Sequence, residues 1–129
     1  MEFKANQPIY LQVIDDIRRK LVTGAISPGQ KLTSVRELAM NYQINPNTAA
    51  RVYKEMELMG MCYTKRGLGT FITDDSKVID GIRKDMAAEY LDTFVNGMHS
   101  LGYDIDEVIS LITGRYEKAS EQEVSYAEE

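Results

Sequence analysis

Four polar side chains near the middle of the sequence lie at helical spacing, and their types suit contact with nucleic acid. They are Asn47, Thr48, Arg51 and Lys54. Amide, hydroxyl and guanidinium groups hydrogen-bond to base edges and phosphates, and ammonium groups bind phosphates. On a helical wheel these side chains share one side. The other side carries apolar residues that we expect to be buried, namely Ala49, Val52, Tyr53, Met56 and Met59. The plain alternative is that any amphipathic helix has a polar outer side.

A basic pair lies a short distance downstream of this helix. Lys65 and Arg66 precede Gly67, and the three lie between two short β-prone segments, residues 61–64 and 69–73. This arrangement predicts a β-hairpin with a basic, glycine-containing tip. An exposed polar helix followed by such a hairpin is typical of a helix-turn-helix domain with a wing.

The first helix is predicted to begin at Pro8, whose missing N–H costs nothing in a first turn, and to end at Gly24. Its apolar residues recur at three- and four-residue steps. They are Tyr10, Val13, Ile14, Ile17 and Leu21. Residues 27–29, Ser-Pro-Gly, predict a turn after this helix.

Capping residues predict where the second and third helices begin. Ser34 with Glu37 forms a capping box, which predicts a short second helix. Asn45 and Pro46 predict the N-cap and the first residue of the polar helix, and Gly60 predicts its end. Two small helices with a tight link, the second exposed and polar, match a helix-turn-helix.

Two further helices are predicted after the hairpin. A long apolar stripe at helical spacing ends at Gly102-Tyr103, and Asp104 with Glu107 then caps the last helix. The stripe is Ile79, Ile82, Met86, Tyr90, Phe94, Met98 and Leu101, and the last helix carries Ile105, Val108, Ile109, Ile112 and Tyr116. The sequence therefore predicts a mainly α fold with a small β wing, in two parts: residues 1–74 as the winged domain and 75–129 as a helical module with an acidic tail.

Charge is unevenly distributed between these two parts. Residues 1–73 carry ten Lys/Arg and six Asp/Glu, whereas residues 74–129 carry five and fourteen, so the formal net charge of −5 conceals a basic first half. A basic segment attracts polyanions and an acidic one repels them. The low overall charge therefore does not exclude DNA binding, because the local field decides.

Composition and motifs exclude several classes of protein. The 129 residues are 43% hydrophobic and 27% charged, as in one ordinary globular domain with an appendage. No apolar run approaches the ~20 residues that span a bilayer, and the N-terminus has no apolar signal core. One cysteine, Cys62, and one histidine, His99, exclude a disulfide framework and a multi-Cys or multi-His metal site. No nucleophile–base pair or phosphate loop is present. We expect a cytoplasmic protein that is not an enzyme, with no catalytic residue, cofactor, metal or membrane partner.

Five short sequence motifs follow one another over about half of the chain. They are Pro8-Ile9-Tyr10-Leu11-Gln12, Gly24-Ala25-Ile26-Ser27-Pro28-Gly29, Leu32-Thr33-Ser34-Val35-Arg36-Glu37-Leu38-Ala39, Asn45-Pro46-Asn47-Thr48-Ala49-Ala50-Arg51-Val52-Tyr53 and Gly67-Leu68-Gly69-Thr70-Phe71-Ile72. With them, residues 8–73 resemble the winged helix-turn-helix domain of GntR-type bacterial transcription regulators. The Asn-Pro-Asn-Thr motif is similar to that of the short YtrA-like subfamily. Thr33 departs from the proline usual in the family, and Pro46 and Ala50 stand where many members carry arginine.

The resemblance implies a sequence-specific DNA-binding regulator. We expect it to act as a homodimeric repressor, and the two-fold symmetry of such a dimer predicts a palindromic operator. The residues that the resemblance suggests as DNA contacts also suit this role chemically, because they offer amide, hydroxyl or cationic groups, or let the backbone approach closely. The expected contacts are Ser34, Arg36, Asn45, Asn47, Thr48, Arg51, Lys54, Lys65, Arg66, Gly67, Gly69 and Thr70. The alternatives are a salt bridge within the second helix for Arg36 and simple turn geometry for the two glycines.

The C-terminal helices are expected to form the homodimer. Two helices cannot bury the long apolar stripe alone, and two helices cannot easily enclose an ordinary ligand pocket. The YtrA-like resemblance also implies a two-helix dimerisation module. The expected interface is Ile79, Ile82, Met86, Tyr90, Phe94, Met98, Leu101, Ile105, Ile109 and Ile112. The alternative is that the two helices fold back on their own winged domain. The sequence leaves open whether a small-molecule effector exists.

Two other classes of function compete with DNA reading. A winged fold can serve as a protein-interaction module without reading DNA, but the exposed polar and basic residues of the third helix and hairpin argue against it. An enzyme lacks support because no catalytic constellation is present. Salt-sensitive binding to duplex DNA discriminates the regulator from the interaction module.

Overall fold

The computed structural model describes residues 1–128, with side chains described as far as residue 122. The elements are α1 (Ile9–Val22), α2 (Val35–Tyr42), α3 (Pro46–Leu58), β1 (Cys62–Lys65), β2 (Gly69–Ile72), α4 (Ser76–Ser100) and α5 (Ile105–Glu128). The mainly α class with a small β wing is confirmed. Glu129, the end of the expected acidic tail, lies outside the described residues. Within residues 1–128, no helix combines the length and the apolar character needed to cross a membrane.

One apolar core joins α1, α2, α3 and the hairpin. The apolar face of α1 and the apolar side of α3 meet there, with Ile14, Val52 and Met56 almost completely buried. Each such aliphatic side chain contributes about 1.5–3 kcal/mol on burial. Met59 differs from the expectation. It is the C-cap of α3, at the edge of the apolar side where the helix ends, and its side chain is 41% exposed.

Local hydrogen bonds begin α2 and α3 at the predicted residues. Ser34 Oγ accepts the backbone N–H of Glu37 at 3.1 Å, which is the expected N-cap bond. Asn45 Oδ1 accepts the N–H of Asn47 at 2.8 Å, with Pro46 as the first residue of α3. Between the helices, Gln43 has a φ of 55°, and this left-handed residue ends α2.

A polar cluster braces α1 against α2. The Tyr42 hydroxyl donates to Asp16 Oδ2 at 2.6 Å, and Lys20 Nζ lies 3.0 Å from the same oxygen. Burial raises the pKa of Asp16, but the hydrogen bonds from Tyr42 and Lys20 outweigh it, so the pKa lies below its ordinary value. Burial and the Asp16 acceptor raise the pKa of Tyr42 to about 12, which keeps its hydroxyl protonated as a donor.

The hairpin is antiparallel, with Cys62 opposite Ile72 and Lys65 opposite Gly69. Alternation along the strands directs Cys62 and Ile72 into the core. Burial raises the pKa of the Cys62 thiol to about 11, as expected for a small buried apolar residue rather than a reactive one. The turn contains Gly67 with a φ of 81°, a conformation that favours glycine.

Contacts divide the chain into two compact units, Met1–Met86 and Ala87–Glu129. The first unit thus extends past the expected boundary at residue 74 and includes the first part of α4. Ile79 and Ile82 pack against the core of their own winged domain, and Met86 is buried within the single chain. Much of the apolar surface of these three residues is therefore covered within the chain, and their expected place in a dimer interface stays a prediction.

The second unit has no apolar interior of its own among its described side chains. From residue 87 to residue 122 none is buried, and only Met98 and Val108 are half-buried. The remaining parts of α4 and α5 instead border an open groove of about 630 Å³. Its lining is mostly apolar and consists of Ala87, Tyr90, Leu91, Phe94, Met98, Leu111, Ile112, Arg115 and Tyr116.

Candidate nucleic-acid interface

The polar side of α3 is exposed as the helical wheel predicts. Asn47, Arg51 and Lys54 are exposed and Thr48 is half-buried, while Ala49 and Val52 on the opposite side are buried. Residues at i, i+4 and i+7 follow one line along a helix, so the three exposed side chains form a single polar row. This row offers amide, guanidinium and ammonium donors toward solvent.

Arg51 is held by a contact that sequence reasoning missed. Its guanidinium lies over the ring of Tyr10 on α1, with the guanidinium carbon 3.9 Å from the ring centroid. This distance is characteristic of a stacked cation–π pair. Tyr10 was expected only as part of the apolar face of α1. The pairing depends on how α1 and α3 cross, which residue spacing along one helix does not reveal.

The beginning of α2 forms a second edge of the site. The hydroxyl of Ser34 donates to Glu37 Oε1 at 3.1 Å while accepting the Glu37 N–H, so its proton is already engaged in the cap. Ser34 therefore serves α2 as its N-cap, and the expected phosphate bond from its hydroxyl would have to displace Glu37. Arg36 is exposed and forms no ion pair with the carboxylates of the described residues, unlike the helix salt bridge considered as its alternative.

Tyr53 connects the buried side of α3 to the start of α2. Its hydroxyl donates to the carbonyl oxygen of Thr33 at 2.7 Å and lies 3.1 Å from Thr33 Oγ1. Burial raises the pKa of Tyr53, so the hydroxyl stays a donor. A proline at position 33 would lack the hydroxyl that makes this contact. This bond fixes the segment that leads into Ser34 relative to the polar helix.

Asn45 contributes to the site chiefly as a cap. Its side-chain oxygen is engaged by the N–H of Asn47, which leaves the amide N–H groups of the exposed Asn45 side chain as donors. The wing residue Thr70 is half-buried, and its side chain shares the face of β2 that carries the buried Ile72. The Thr70 hydroxyl therefore lies on the face of the hairpin opposite to Lys65.

The outer face of the hairpin combines lysine with aromatic rings. Tyr63 and Phe71 are cross-strand partners whose rings stack with centroids 6.0 Å apart. Lys65 Nζ lies 5.0 Å from the Phe71 centroid and 5.7 Å from that of Tyr63. Arg66 at the tip is exposed. A Cβ added to Gly67 would meet open space, so lack of room does not explain the glycine at this position. Its positive φ does, which agrees with the alternative that this glycine serves the turn.

A short basic segment before α2 joins this face and was also missed from sequence. Lys31 forms a β-bridge with Phe71 and lies beside Gly69 of the wing. Residues 30–32 are too few to show a strand periodicity, so the charge of Lys31 was the only signal available from sequence.

A three-helix domain with an exposed polar third helix and a basic hairpin directly after it defines a winged helix-turn-helix DNA-binding protein. The chain belongs to the GntR family of bacterial regulatory proteins, whose family model matches residues 9–72. The expected family and the winged fold are thereby confirmed.

Two curated relatives match most of the chain. The uncharacterized HTH-type transcriptional regulator YhcF of Bacillus subtilis (strain 168) is 42% identical over 108 residues, which cover 84% of this chain and 89% of that protein. The HTH-type transcriptional repressor YtrA of the same organism is 36% identical over 107 residues, which cover 81% of this chain and 82% of that protein.

Solved structures agree with this assignment. A GntR family transcriptional regulator from Listeria monocytogenes superposes with a TM-score of 0.82 at 36% identity, covering 87% of this chain and 98% of that one. The structure of AraR(DBD) in complex with operator ORX1 matches with a TM-score of 0.51 at 26% identity, covering 56% of this chain and 93% of that one. The chain is therefore a DNA-binding transcriptional regulator, because its family and its relatives are transcriptional regulators and not enzymes.

Proposed function

We propose that this regulator is a cytoplasmic, homodimeric repressor that binds a palindromic operator in duplex DNA and reads it with α3. The exposed polar row on α3, with a basic wing after it, carries this proposal. The repressor assignment is supported by the relative named as the repressor YtrA, and binding to an operator by the neighbour AraR(DBD), whose structure includes one.

Three groups of residues take different parts in DNA binding. Asn47, Thr48 and Arg51 contact base edges, because amide and guanidinium groups make paired hydrogen bonds to purines. Lys54, Arg36, Lys65 and Arg66 bind phosphates. Ser34 and Asn45 are the N-caps of α2 and α3, and the first N–H groups of these helices face the DNA phosphates. The wing takes its shape from Gly67, Gly69 and Thr70.

Substitution of Arg51 tests base readout. We expect Arg51→Ala to lower binding to the operator by ~1–3 kcal/mol more than binding to random duplex, and to relax preference at one position. The operator is obtained by selecting bound fragments from genomic DNA with the purified protein, and the preference is measured by titrating single-base variants of it.

Arg83→Ala is the matched control, because Arg83 is exposed on α4 outside the proposed DNA contacts. It should leave the ratio of operator to random affinity unchanged. An unchanged ratio in Arg51→Ala would show that this arginine does not read bases. Absence of salt-sensitive duplex binding by the wild type would instead favour a protein-interaction module.

Homodimerisation is supported by the second unit. No side chain is buried among residues 87–122, so the apolar burial within one helix pair is too small to offset the conformational entropy lost on ordering it. A second copy of the same helix pair offers a self-complementary apolar face, and two-fold pairing would form a four-helix bundle. The groove of about 630 Å³ is the site that the second copy fills.

A further inference from the structure

A third strand segment extends the wing ahead of α2. The N–H of Leu32 donates to the carbonyl of Thr70 at 2.8 Å, and the N–H of Ile72 donates to the carbonyl of Gln30 at 2.8 Å. Lys31 between them forms an antiparallel bridge with Phe71. Lys31 is thus fixed to the wing by backbone bonds on both sides, although the sequence separates it from the hairpin by the whole helix-turn-helix.

The side chain of Lys31 runs across Gly69. A Cβ placed on Gly69 would lie 2.9 Å from Lys31 Cε, 4.0 Å from Cδ and 3.7 Å from Nζ. A contact of 2.9 Å is shorter than carbon atoms tolerate, since their optimal separation is ~3.5–4.0 Å. Any side chain at Gly69 would therefore displace the end of Lys31, and the glycine leaves room for this lysine as well as meeting its φ of 121°.

Lys31 and Lys65 lie on the same face of the wing. Bridged and paired residues share a sheet face, so Lys31, Phe71 and Tyr63 face the same way as the pair of Lys65 and Gly69. The ammonium group of Lys65 lies over the aromatic pair, and that of Lys31 lies beside Gly69. Neither lysine forms an ion pair with a carboxylate in the described part of the chain. The face thus carries two positive charges without an ion-pair partner among the described residues.

We propose that Lys31 is a DNA-backbone contact of the wing and binds a phosphate on the same outer face as Lys65. The proposal rests on the DNA-binding function proposed above. Its chemistry is an ammonium group held by strand pairing beside a second one, which suits the closely spaced phosphates of duplex DNA. It carries no base readout, because a lysine ammonium group binds phosphate as a point charge rather than as a planar, paired donor set.

The test compares Lys31→Met with the wild type in binding to operator and to random duplex over a range of salt. Removing one phosphate contact lowers the slope of log affinity against log salt by ~0.9, so the loss of affinity between about 50 and 200 mM salt shrinks about 3.5-fold. We expect operator and random DNA to weaken by the same factor. Lys31→Arg should keep the wild-type slope, because it retains the charge.

Lys84→Met is the matched control, since Lys84 is exposed on α4 and outside the wing. Substitution of Gly69 is avoided because its positive φ would strain the hairpin itself. If the wild type binds DNA and Lys31→Met has the same salt slope as wild type and Lys84→Met, the contact at Lys31 is excluded. If the wild type shows no salt-sensitive binding to duplex DNA, the proposed function fails instead. A changed ratio of operator to random affinity in Lys31→Met would also contradict a pure phosphate contact.

Discussion

At the scale of single residues, the stacking of Arg51 on Tyr10 changes how Arg51 can act. A free surface arginine loses much rotamer entropy when it binds, whereas a stacked guanidinium is already ordered. The ring of Tyr10 covers one face of the guanidinium at 3.9 Å and leaves its N–H groups, which lie in the guanidinium plane, available at the edges. We therefore expect Tyr10 to position Arg51 rather than to contact DNA itself.

Removing the ring should weaken base readout without removing the arginine. We expect Tyr10→Leu to lower the ratio of operator to random affinity by about two- to fivefold, because an exposed cation–π pair contributes ~0.5–1 kcal/mol. Tyr10→Phe keeps the ring and should retain the ratio. Titrations of both duplexes measure the effect.

A double-mutant cycle separates positioning from simple support of the fold. In the Arg51→Ala background, Tyr10→Leu should have no further effect on the affinity ratio, whereas a structural effect would persist and also lower the melting temperature. If Tyr10→Leu lowers the ratio of operator to random affinity as much in the Arg51→Ala background as in the wild type, Tyr10 does not act through Arg51.

The sequence predicts single residues best where their roles are local. The caps Ser34 and Asn45 depend on neighbours within three residues, and both form the expected bonds. Tyr10 and Lys31 were missed because their partners lie far away in the chain and meet them only after packing. Long-range strand pairing and helix crossing are properties of the fold, and no local spacing encodes them.

At the scale of elements, the Asp16 cluster is the brace between α1 and α2. Tyr42→Phe removes the donor that lies 2.6 Å from Asp16 and should lower the free energy of unfolding by about 1 kcal/mol. Because the pKa of Asp16 is lowered in the folded protein, this stabilisation is present above the ordinary value of 3.8 and is lost as pH falls through the lowered pKa.

Urea unfolding of wild type and Tyr42→Phe at neutral pH and near pH 3 measures this dependence. The difference between the two proteins should shrink in acid as Asp16 takes up a proton. An equal difference at both pH values would show that the hydroxyl contributes through packing rather than through the charged carboxylate. The comparison applies while unfolding stays two-state.

Element boundaries were predicted well where a cap marks them and poorly where packing sets them. Asp104 and Glu107 form reciprocal bonds at the start of α5, as their spacing predicts. The junction between the winged domain and the helical module was placed at residue 74 because acidic residues and a change of pattern lie there. Packing of Ile79 and Ile82 on the winged core extends the first unit to Met86, and hydrophobic periodicity alone cannot distinguish one apolar partner from another.

At the scale of the whole molecule, the apolar groove predicts that two chains pair through their C-terminal helices. Phe94→Asp with Met98→Asp places two carboxylates in this groove, and we expect the variant to sediment as a monomer and to bind the operator far more weakly. Asn96→Asp with His99→Asp is the control, because both residues are exposed on α4 and neither lines the groove. A wild type that sediments as a monomer at about tens of micromolar contradicts the dimer.

A two-fold dimer also determines the form of its operator. Two α3 helices related by a two-fold axis must read the same sequence on opposite strands, so the operator should be a palindrome. If both helices enter one face of the duplex, the half-site centres lie about one helical turn, ~10 base pairs, apart. The acidic half of the chain, with five basic and fourteen acidic residues after residue 73, opposes contact with phosphates, so protection should come from the basic winged domains alone. Footprinting of a selected fragment measures both features. Protection of one asymmetric site by a single chain would contradict the palindrome and the dimer together, whereas two symmetric half-sites at another spacing would contradict only the placement of both helices on one face.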